Sequence, residues 1–172
     1  MINLEEAVIR KLKTAQHTLC TVESCTGGLI SQLLTNVPGA SEVFWGAFVT
    51  YDNSLKADIG VPPELLARHG AVSPEVATSM AENGLKRMQS VISRFPSDSL
   101  LKGKGQVCIS TTGIAGPSIP NENSAVGLCY IGLAISNKKT TVEVIRVPDS
   151  LGRVQIKNLF AQKALEILRG IL

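Results

Sequence analysis

The stretch Thr18-Leu19-Cys20-Thr21-Val22-Glu23-Ser24-Cys25-Thr26-Gly27-Gly28 decides how this chain is read. Thr18 to Glu23 favours a β-strand, and it stops abruptly at the small residues Ser24 to Gly28. A helix from Leu29 to about Thr35 is predicted next, ended by Val37-Pro38-Gly39. A strand handed to a helix through glycines is the building unit of α/β folds.

Working outward, the same alternation recurs. Leu4, Ala7, Val8, Lys11, Leu12 and Ala15 fall at helical spacing, with Asn3 as N-cap and Glu6 three residues on. Val43 to Tyr51 is aromatic and β-branched, so a strand, and Asn53 to Ile59 is a short helix. A further helix opens at Pro62-Pro63-Glu64 and closes at His69-Gly70. Ser73-Pro74-Glu75 is a strong helix start. Behind it Ala77, Met80, Ala81, Leu85, Met88, Val91 and Ile92 form an apolar stripe. Ser97 to Gly105 is linker-like. Gln106 to Thr112 and Ala125 to Ile135 read as central strands, and Lys139 to Val147 alternates as a strand with one wet face. Gly152 to Ile171 closes the chain as a helix, with Ile156, Leu159, Phe160, Ala164, Ile167 and Leu168 inward. The expectation is an α/β fold: a three-layer α/β/α sandwich with a mixed central sheet, in one domain over 1–172.

Composition bounds the function. With 172 residues, a globule buries roughly 70% of its unfolded surface and needs neither a disulfide nor a structural metal to fold. Charged residues are 18%, and apolar ones 44%, which excludes a disordered or coiled-coil chain. A net charge of +3, scattered, argues against a nucleic-acid groove or a membrane-binding face. No window of 18 uninterrupted apolar residues occurs, so no membrane span is expected. Cys20, Cys25, Cys108 and Cys129 form no C-x-x-C pair and sit mostly in strand-like runs, which suits reduced core thiols and a cytoplasmic setting. No metal-ligand spacing is present, and no metal or cofactor is expected.

Two glycine-bearing segments could carry chemistry. At Ser24 to Gly28, helix-start N–H groups around a small side chain would suit an anion or a developing oxyanion. Alternatively, Ser24 or Thr26 simply caps the helix. Thr111-Thr112-Gly113-Ile114-Ala115-Gly116-Pro117 follows a strand at the sheet edge where open α/β folds place their sites, or is an ordinary turn. A Ser-His-Asp triad is poorly supported, since both histidines, His17 and His69, read as helix C-terminal cations. The other base for a serine is a desolvated lysine; Lys56, just past an apolar strand, is the candidate, unless it is a solvated helix lysine. Cys25 is a rival nucleophile without a histidine partner.

Together, Glu23 to Gly28, Phe48 to Asn53 followed by Lys56, His69 to Ser73, Thr112 to Pro117, Val126-Gly127, Tyr130 to Gly132, and Arg153 with Ile156-Lys157 resemble the CinA C-terminal domain family. The resemblance spans nearly the whole chain. It implies a nicotinamide-nucleotide amidase, converting nicotinamide mononucleotide to nicotinic acid mononucleotide and ammonia. By that resemblance Ser24 is the nucleophile, Lys56 its base and Tyr51 a support for the pair. Cys25, Thr26, Gly27, Thr112, Gly113 and Arg153 are expected at the substrate, the backbone of Cys25 and Thr26 or the Thr112-Gly113 turn at the oxyanion, and Arg153 at an anionic group. The family also implies a homodimer or higher homo-oligomer and a small-molecule nucleotide substrate. Pro117 to Ala125 departs from the family's glycine-rich, Glu-Lys-Pro pattern. That departure leaves a catalytically silent nucleotide-binding or interaction module as the alternative.

Overall fold

A computed structural model describes residues 2–95, 104–119 and 124–171. Asn3 accepts from the Glu6 N–H at 2.9 Å and so starts α1 (Leu4–Thr14). The chain then runs through β1 (His17–Glu23), α2 (Leu29–Thr35), a 3-10 turn (Ala40–Glu42), β2 (Phe44–Val49), α3 (Asn53–Ile59), α4 (Pro63–His69) and α5 (Pro74–Arg94). It continues as β3 (Gly105–Gly113), β4 (Leu128–Ile135), β5 (Thr141–Arg146) and α6 (Arg153–Ile171). The predicted linker at Ser97 to Gly105 lies mostly outside the described residues.

The five strands form one sheet in the order β2-β1-β3-β4-β5. Parallel pairs join β1 to β2 and to β3, in register Cys20 to Cys108; β4 is antiparallel to β3 and to β5. The sheet is mixed, as expected. One face packs α1, α2 and α6 through Val8, Leu12, Ile30, Leu34, Phe160, Leu165 and Leu168. The other face packs α5, with α3 and α4 outside it, through Val22, Val76, Met80, Met88 and Cys108. α5 lies very close to the sheet because Gly84 has no side chain: a Cβ there would meet Val22 and would stand 2.6 Å from Cys108 Sγ. Of the stripes predicted from spacing, Ala77, Met80, Ala81 and Met88 of α5 and Ile156, Phe160, Ala164 and Leu168 of α6 are buried, while Leu85, Val91, Ile92, Leu159 and Ile167 are half-buried.

The strand and helix ends shift in informative ways. His17 does not end the first helix; it opens β1, with Nδ1 2.7 Å from the Ala15 carbonyl oxygen. The turn that separates it from α1 runs through Gln16 at positive φ, which composition does not advertise. His69 does end α4, as expected, and stands 3.5 Å from Glu75. β4 begins at Leu128 rather than Ala125, because Gly127 turns the chain at φ +85°. Ser73 accepts from the Val76 N–H at 3.3 Å and caps α5. All four cysteines are buried free thiols. Among the described residues no helix is long and apolar enough to cross a membrane.

Candidate functional site

Three parallel strands end together. The Ser24 N–H donates to the Thr111 carbonyl at 3.0 Å, extending the β1–β3 ladder by one residue, and the Thr50 N–H donates to the Glu23 carbonyl at 2.8 Å, extending β1–β2. Ser24, Thr50-Tyr51 and Thr112-Gly113 are thereby set side by side at the carboxyl edge of β1, β2 and β3. A cavity of about 240 Å³ opens there, walled by Ser24, Cys25, Tyr51, Lys56, Thr112, Gly113 and Arg153. These are seven of the nine residues singled out from sequence. Thr26 and Gly27 do not line it.

The turn after Ser24 is built by glycine. Gly27 and Gly28 take φ +63° and +93°, a left-handed conformation that other residues rarely adopt. Neither Ser24 nor Thr26 caps α2. The cap is the fully buried Glu23 carboxylate, which accepts from the N–H groups of Gly28 (3.0 Å), Ile30 (3.1 Å) and Ser31 (2.9 Å). The helix-start donors are therefore occupied and do not face the cavity as an anion site. Thr26 Oγ1 lies 2.8 Å from both Glu23 and Thr111 Oγ1. The Cys25 and Thr26 N–H groups, by contrast, have no acceptor among the described residues.

Ser24 is 8% exposed, faces the cavity, and its hydroxyl has no hydrogen-bond partner among the described residues. Lys56 is the unusual neighbour. It is 1% exposed, the only buried side chain of α3, while Leu55 beside it stands in solvent. Its position follows from the cap of α3: Asp52 accepts from the Ser54 N–H at 2.8 Å and hydroxyl at 2.6 Å and so fixes the helix start one turn before Lys56. Lys56 Nζ donates to the carbonyl oxygens of Thr50 (2.8 Å) and Tyr51 (3.0 Å), which lie at the end of the same strand that leads into the helix. Burial pushes the Lys56 ammonium below its ordinary range, with the charges of Asp52 and Cys25 opposing. Ser24 and Lys56 share the cavity wall but are not hydrogen-bonded to each other.

Arg153 opens α6 and crosses the cavity mouth, donating to the Gly116 carbonyl oxygen and, at 2.9 Å, to the Tyr51 hydroxyl. It also lines an adjoining cavity of about 610 Å³ with Gly116, Asp149 and Gly152. The Thr112 hydroxyl is committed to the Ala71 carbonyl at 2.6 Å and ties β3 to the loop before α5. Cys25 Sγ packs 3.8 Å from Cys129 Sγ, and burial holds the Cys129 thiol well above its ordinary value. Among the described residues no cluster of three potential metal ligands occurs. Sequence reasoning missed Asn53, on the cavity wall, and Glu23. An acidic residue ending an otherwise buried strand was the available signal for Glu23.

The family model for the CinA C-terminal domain matches residues 1–94 and 97–172. The chain belongs to the CinA C-terminal domain family. It is 43% identical over 167 residues to a protein of Caldicellulosiruptor bescii that carries a competence-damage inducible protein name, and 40% identical over 167 residues to a CinA-like protein of Thermotoga neapolitana. Each alignment covers 96% of this chain and 36% of the relative, so the chain spans about a third of the length of the curated relatives it matches. Among solved structures, the competence/damage inducible protein CihA of Agrobacterium tumefaciens superimposes with a TM-score of 0.82 at 33% identity, covering 97% of this chain and 94% of that one. The CinA-type fold thus extends over the described sheet and helices.

Proposed function

We propose that this CinA-family domain is an amidohydrolase that deamidates nicotinamide mononucleotide through a Ser24–Lys56 mechanism. The observation that carries the reading is the setting of Lys56. A neutral amine has two N–H bonds and one lone pair. The Thr50 and Tyr51 carbonyls accept two N–H bonds from Nζ, so the neutral form keeps its lone pair as the remaining position, on an amine that lines the cavity with Ser24. Burial favours that neutral form.

In this mechanism Ser24 Oγ attacks the carboxamide carbon as its proton passes to Lys56. The carbonyl oxygen becomes an oxyanion and takes a hydrogen bond from the free Cys25 N–H on the cavity wall. On collapse the C–N bond breaks, Lys56 returns the proton to the leaving nitrogen, and ammonia departs from an acyl-enzyme. Water, deprotonated by Lys56, then releases the nicotinic acid mononucleotide and regenerates Ser24. Tyr51 supports Lys56 through its carbonyl, and its hydroxyl serves Arg153. Arg153 meets the anionic part of the nucleotide, since a guanidinium fork suits phosphate oxygens.

Incubation with saturating nicotinamide mononucleotide tests the reading: ammonia and nicotinic acid mononucleotide should appear in equal amounts. Absence of both would favour the silent nucleotide-binding module, to which the departure at Pro117 to Ala125 points.

A further inference from the structure

Glu23 has no part in the chemistry proposed above, yet it is the most heavily hydrogen-bonded side chain around the site. Its Oε2 accepts from Thr26 Oγ1, Gly28 N and Ile30 N; its Oε1 accepts from Ser31 N, Ser31 Oγ and, at 3.3 Å, Thr21 Oγ1. The carboxylate lies fully buried and does not line the cavity, so it cannot itself exchange protons with a substrate. What it does is fix a turn. α2 is only seven residues long, too short to hold its own start in place. The glycines at 27 and 28 leave the preceding segment free to adopt other conformations.

We infer that Glu23 is a positioning residue. Its carboxylate gathers the donors of Gly28, Ile30 and Ser31, and by doing so holds the Ser24 to Thr26 turn in the form that leaves the Ser24 hydroxyl and the Cys25 N–H unpartnered on the cavity wall and available to the reacting carbonyl. The inference rests on the amidase reading. An amide cannot take the carboxylate's place: both oxygens accept from backbone N–H groups, so either orientation of a glutamine points its NH₂ at a donor.

The test compares wild type with Glu23→Gln and Ser31→Ala. Two rates are read at a temperature where each variant is folded by circular dichroism. One is ammonia release from nicotinamide mononucleotide, resolved into kcat and KM. The other is labelling of Ser24 by a fluorophosphonate probe, which forms an Oγ–P bond, expels fluoride and is followed by intact mass. Glu23→Gln should lower kcat at least about tenfold, approaching the roughly 10²–10³ of a lost oxyanion donor, with KM within about threefold and labelling slowed in parallel. Ser31→Ala, which removes the hydroxyl's contacts with Glu23 and Thr21 and keeps the backbone donor, should fall between. A folded Glu23→Gln that melts lower but turns over and labels at wild-type rates overturns the inference. If Glu23→Gln does not fold, Ser31→Ala decides: a several-fold loss in kcat and labelling supports it, and unchanged rates overturn it. Wild type that labels at Ser24 yet releases no ammonia defeats the amidase reading alone, and the labelling rates of the variants still judge Glu23. Wild type that neither labels nor releases ammonia overturns both.

Discussion

The Tyr51 carbonyl oxygen accepts a hydrogen bond from Lys56 Nζ at 3.0 Å, while the hydroxyl of the same tyrosine accepts one from Arg153. The two ends of Tyr51 therefore serve different partners. The backbone end reaches the buried amine, and the ring, 58% exposed, reaches α6 at the cavity mouth.

Tyr51→Phe separates these roles. It keeps the carbonyl and removes the hydroxyl, so steady-state kinetics on nicotinamide mononucleotide should show kcat within about threefold of wild type and a raised KM. A collapse of kcat at unchanged KM would place the hydroxyl in the chemistry instead.

Arg153→Ala should act on binding. Loss of a charge-assisted contact of about 1.5–3 kcal/mol corresponds to a KM for the mononucleotide raised at least about tenfold. The same variant should leave turnover of the phosphate-free riboside nearly unchanged. Equal losses on both substrates would remove Arg153 from the phosphate and make it a purely structural tie to Gly116.

Lys56 makes two pH predictions of the same origin. Its folded pKa lies below the ordinary 10.5, so between the lowered value and 10.5 the unfolded chain binds the extra proton. Stability therefore gains with rising pH across that window, and the cost of the buried charge is fully present below it. The pH dependence of urea unfolding should be steeper for wild type than for Lys56→Met. Activity follows the same proton: kcat/KM should rise about tenfold per pH unit on the acid side of an apparent pKa below 10.5. Lys56→Arg, always charged, should be inactive at every pH.

How much of this was legible in the sequence depends on the kind of interaction. Period and punctuation set the elements: the residues of α2 and α3 match the predicted helices at Leu29 to Thr35 and Asn53 to Ile59. Proline, glycine and Asp52 mark those ends locally. The residues themselves offered Ser24 and Lys56 as candidates, and the resemblance supplied their roles. What spacing could not supply is that Lys56 turns inward while Leu55 turns out, because that choice is made by carbonyls at the end of β2. Glu23 was hidden for a related reason. A buried carboxylate is justified only by donors that come together when α2 folds against β1, and half of those donors, the N–H groups of Gly28, Ile30 and Ser31, are backbone groups without a sequence signature. His17 was misread because a single left-handed residue, Gln16, ends α1 early.

Gly84→Ala checks the packing that seats α5 on the sheet. The added methyl would crowd Val22 and Cys108, at a cost of about 1–3 kcal/mol. For a chain of this size that lowers Tm by several degrees, at about 2–4 °C per kcal/mol. An unchanged Tm would mean that α5 can lift away freely.

The most direct measurement is ammonia release from nicotinamide mononucleotide by wild type, Ser24→Ala and Lys56→Ala under identical saturating conditions. Turnover by wild type, with both variants reduced to background while still folded, is the predicted result. Undiminished turnover in either folded variant would contradict the pairing of a neutral Lys56 amine with the Ser24 hydroxyl.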